Sequence, residues 1–170
     1  MKASPKCLLS FDGGVLEPQS FIGIVDGLKG LGFEFLGGNT ERGFYKIVDV
    51  YDSVEEWIRG EREDLGFINL YWMFFRRDEP PSGLLVLTPE CIVFMPGFNR
   101  PDDCMWFRLV CVSRKEREEV NEVTSEHGLK WWGEPAHPIL YRHCKPSLEN
   151  AKSFWLDTLE FLEEVGYSMI

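Results

Sequence analysis

His127, His137, His143 and Cys144 fall within eighteen residues, and each is a zinc ligand by type. The spacings leave nine, five and zero intervening residues, which is not the pattern of a compact zinc knuckle. Alternation along a strand at Ile139–His143 would also send His143 and Cys144 to opposite faces. A Cys–His nucleophile pair needs a third group to orient the base, and nothing in the chain supplies one. Asp12-Gly-Gly14 and Gly37-Gly-Asn39 lack the lysine and the glycine spacing that cradle a phosphate, and read as turns. The sequence therefore assigns no catalytic residue, no metal and no cofactor, and favours binding over catalysis.

The residues best suited to binding are acids. Asp49, Asp52, Glu55, Glu56, Glu61, Glu63 and Asp64 stand against Arg59 and Arg62, a local charge of −5 within Asp49–Asp64. Such a patch would dock a basic partner, raising association rate and selecting among partners. Clustered carboxylates also suit hard cations, but the spacing matches no calcium loop and lacks its sharp-turn glycine. A second acidic group, Glu160, Glu163 and Glu164, lies near the end of the last predicted helix, where the macrodipole disfavours negative charge by about 0.3–1 kcal/mol each. The aromatic group Trp131, Trp132, His137, Tyr141 and the earlier Trp106 could line a pocket or an interface. Trp131 and Trp132 are adjacent, so a strand would turn them to opposite faces, and the loop Gly133–Pro138 follows them. They are the second candidate for partner contact.

The elements that must position these residues can be read from periodicity. Cys7–Phe11 reads as a strand, and Pro18 opens a helix carrying Phe21, Ile24, Val25, Leu28 and Leu31, with Gly32 at its end. Gly23, Gly27 and Gly30 weaken that helix and would permit close packing on a sheet. Strands are expected at Phe33–Leu36 and Phe44–Val50, then a short helix from a capping box at Ser53-Val-Glu-Glu56, then a central strand at Phe67–Phe75. This β-α-β-β-α-β order suits a ferredoxin-like first half.

In the second half, Leu84–Leu87 and Cys91–Met95 flank a hairpin turn at Thr88-Pro89-Glu90. Further strands are expected at Met105–Val112, Leu129–Trp132 and Ile139–His143, with a charged helix from Ser113 to near Gly128. Ser147 caps a last helix that stops at Gly166. On it Ala151, Phe154, Trp155, Leu159, Phe161, Leu162 and Val165 share one side, and Glu149, Asp157, Glu160, Glu163 and Glu164 the other. The expected fold class is α+β: a single domain over residues 1–170, with a mostly antiparallel sheet and helices mainly on one face.

The bulk numbers agree with a folded binding protein. At 44% hydrophobic and 14% aromatic residues, the chain can fill a core and is not of disordered composition. The acids outnumber the bases 28 to 18, giving a formal charge of −10. That excess disfavours nucleic acid and anionic membrane as partners and favours a basic protein. The five cysteines are odd in number and irregular in spacing, so they form no disulfide framework. No signal peptide is legible, and the longest apolar run, Leu70–Phe75, is far short of a membrane span, which points to the cytoplasm.

The expected function is that of a non-catalytic acidic binding protein. In composition alone the chain resembles the immunity proteins that mask a basic toxin or nuclease active site. Two alternatives stand beside it. One is a small-molecule sensor or enzyme using an aromatic pocket near Trp106, Trp131 and Tyr141. The other is a structural subunit that self-associates through exposed aromatics.

Overall fold

The computed structural model describes residues 9–11, 14–40, 43–46, 48–62, 68–70, 72–101, 123–124, 129–132 and 139–166. Among them the chain runs β1 (Leu9–Phe11), β2 (Gly14–Leu16), α1 (Pro18–Lys29), β3 (Phe33–Thr40) and β4 (Gly43–Lys46). A π-helical turn (Val48–Asp52) leads into α2 (Ser53–Arg59), β5 (Ile68–Asn69), β6 (Trp72–Arg77), β7 (Gly83–Leu87) and β8 (Cys91–Pro96). Then come β9 (Val123–Thr124), β10 (Lys130–Trp132), β11 (Ile139–His143) and α3 (Leu148–Glu164). The fold is α+β, as the sequence led one to expect.

Eight strands form one antiparallel sheet in the order β4-β3-β6-β7-β8-β11-β10-β9. Its centre follows from alternation. Phe35, Phe75, Leu85, Phe94 and Leu140 pair successively across five strands and form one row. The next row is Phe74, Val86, Val93 and Tyr141. Because successive residues point to opposite faces, the first row faces the helices and the second faces away. Each joins its own buried apolar cluster. Both faces are therefore greasy, which is why β7 and β8 read as continuous apolar runs.

The helices cover the first face. Phe21, Ile24, Val25 and Leu28 of α1, Val54 of α2, and Ala151, Phe154, Trp155, Phe161 and Leu162 of α3 all join the cluster that holds the Phe35 row. The Trp155 ring stands edge-on to Phe33 at 4.8 Å and to Phe94 at 4.9 Å. Burying a side chain of this size stabilises by roughly 2–3 kcal/mol. Arg77 closes the seam beside it. Its Nε donates to the Leu31 carbonyl at 3.1 Å, and Nη1 donates to the Glu79 carbonyl at 2.7 Å. Its guanidinium carbon lies 5.2 Å from the Trp155 ring centroid.

Local signals explain several element ends. Pro18 opens α1. Asn150 N donates to Ser147 Oγ at 3.0 Å and caps α3, and Gly166, with φ 67°, ends it. In the β7–β8 turn, Thr88 Oγ1 accepts from Cys91 N at 2.9 Å and donates to the Cys91 carbonyl at 2.9 Å. No helix among the described residues is long and apolar enough to cross a membrane.

Other expectations are corrected. The ferredoxin-like pairing is not adopted in the first half. The first strand, β1, leaves the main sheet and makes a three-stranded one, antiparallel to β2 and parallel to β5. The expected central strand Phe67–Phe75 is broken at Leu70, which is fully buried and packs into the space over Gly38, so β5 and β6 join different sheets. Gly37-Gly-Asn39 is no turn: it continues β3 past a bulge, and the missing side chain of Gly38 leaves room for Leu70.

The strand expected at Phe44–Val50 ends at Lys46. From Val48 the chain winds into the π turn, which buries Val50 in the helix-side cluster and runs straight into α2. The capping box at Ser53 does not form, because Ser53 lies inside this continuous helical stretch and its Oγ accepts from Arg62 Nη1 at 3.0 Å. Val123–Thr124 is strand β9, so the charged helix expected to reach Gly128 does not extend through it. The rest of that helix and the strand expected at Met105–Val112 lie outside the described residues. Close packing at Gly27 is against Leu148 of α3 and not against the sheet.

Candidate binding surfaces

The acids expected to act together are carried by the π turn and α2. Asp49 lies in the turn, described in its backbone only, and Asp52 is exposed at the junction. Glu55 and Glu56 are half-buried in the first turn of α2. Glu61 follows the left-handed Gly60 and pairs with Arg59 at 3.6 Å; both side chains are exposed, so the pair adds little stability. Glu63 and Asp64 lie outside the described residues.

The structure adds a residue that the local sequence did not single out. Asp26, exposed on α1, accepts a hydrogen bond from the Tyr51 hydroxyl at 2.8 Å. Burial raises the Tyr51 phenol above its ordinary range; the Asp26 hydrogen bond and charge, then the charges of Glu55 and Asp52, raise it further. The Asp26 contact thus ties α1 to the π turn. Helical spacing marks Asp26 as solvent-facing, but its approach to Tyr51, 25 residues on, is tertiary.

Glu160, Glu163 and Glu164 are exposed at the end of α3, whose last turn holds no basic residue. Asp157 leaves that acidic face: it pairs with Arg142 at 2.5 Å, and Arg142 Nη1 also reaches Ser153 Oγ at 3.4 Å. Register requires this. Arg142 pairs with Ile92 and so projects towards the helices, where a charge needs a partner. Leu156, on the same helix, is 60% exposed.

Tyr141 is 1% exposed and belongs to the buried cluster on the far face. Trp131 and Trp132 lie in β10, paired with Leu140 and Ile139, and are described in backbone only. Trp106, His127 and His137 lie outside the described residues. His143 is exposed and Cys144 half-buried, with burial pushing the thiol up. Among the described residues no three His, Cys, Asp or Glu side chains are grouped to hold a metal.

No protein-family model matches the chain, and no curated protein or solved structure matches it.

Proposed function

We propose that this protein is a non-catalytic binding protein that docks a basic protein partner through the acidic surface of α1, the π turn and α2, in the manner of an inhibitor that masks a cationic active site. The observation that carries this reading is the hydrogen bond of 2.8 Å from the Tyr51 hydroxyl to Asp26, which ties an acid of α1 to the π turn that leads through Asp52 to Glu55 in α2. Carboxylates from three elements concentrate negative potential over a patch that also presents the half-buried rings of Tyr51 and Trp57. Tyr and Trp are favoured anchors at interfaces, and the surrounding acids would steer a cationic partner. The net charge of −10 supports the same sign of partner.

The test begins with capture of a partner by the tagged protein from its native lysate. Asp52, Glu55 and Glu61 are then reversed to Lys. Association slows by roughly tenfold or more and loses its salt dependence if the patch steers the encounter. Unchanged rate, affinity and salt dependence overturn the reading.

A further inference from the structure

We draw no further inference here: the strongest candidate, the half-buried apolar patch of Leu36, Trp72 and Phe98 packed on the cluster at the sheet face turned away from the helices, carries nothing because nothing in the structure shows what covers it.

Discussion

Leu148, the first residue of α3, fills the space beside Gly27 of α1 that a side chain there would need. Gly23, one turn earlier, has nothing within 4 Å of where its Cβ would stand. The two glycines should respond in opposite directions to the same change. Gly23→Ala should stabilise by about 0.5–1 kcal/mol through helix propensity alone. Gly27→Ala gains the same propensity but forces Leu148 aside, at a cost of about 1–3 kcal/mol. Denaturant midpoints at constant m measure both. A stabilised Gly27→Ala protein would show that Leu148 moves freely and that the helix contact is loose.

Arg77 fastens three elements at once. Its donors reach Leu31 after α1 and Glu79 and Pro81 in the β6–β7 turn, while its guanidinium faces Trp155 of α3. Arg77→Ala leaves those carbonyls without that donor and should cost about 2–4 kcal/mol. Arg77→Lys should recover only part of this, because an ammonium cannot reproduce the planar fork. Equilibrium unfolding of the two variants gives the comparison, and equal stability of Lys and wild type would refute the geometric argument.

The Ser147 cap is a smaller and more local matter. Its Oγ accepts from Asn150 N, satisfying one donor of the first turn of α3. Ser147→Ala should cost about 1 kcal/mol and Ser147→Asp much less, since aspartate caps equally well. Thermal melts of both variants check this.

Much of the fold was legible where the signal is local. The β7–β8 hairpin follows from two apolar runs around Thr88-Pro89-Glu90, and α3 follows from Ser147, Gly166 and the spacing of Ala151, Phe154, Trp155, Phe161 and Leu162. The break at Leu70 was not legible, because an unbroken apolar run looks the same whether it feeds one sheet or two. Asp157 carried the pattern of a solvent-facing acid, yet strand register brings Arg142 beneath it. At the candidate surface the acids of α2 were visible as a charge run. Asp26 was not, because only the packing of α1 beside the π turn brings it to Tyr51.

Tyr51 gives the acidic surface a pH signature. Its phenol is raised by burial first, then by its hydrogen bond to Asp26 and by the charges of Asp26, Glu55 and Asp52. The folded protein therefore holds this proton more tightly than the unfolded chain does. The resulting stability is fully present below the unfolded value, near 10, and is lost as pH rises from there through the folded value. Tyr51→Phe removes both the proton and the hydrogen bond. It should cost about 1 kcal/mol at neutral pH, and the cost should shrink as pH rises above about 10. Subtracting the two proteins' denaturant midpoints at each pH cancels the titration of lysines and other tyrosines. A difference that stays constant across this alkaline range would show that the Tyr51 phenol is not raised in the folded protein.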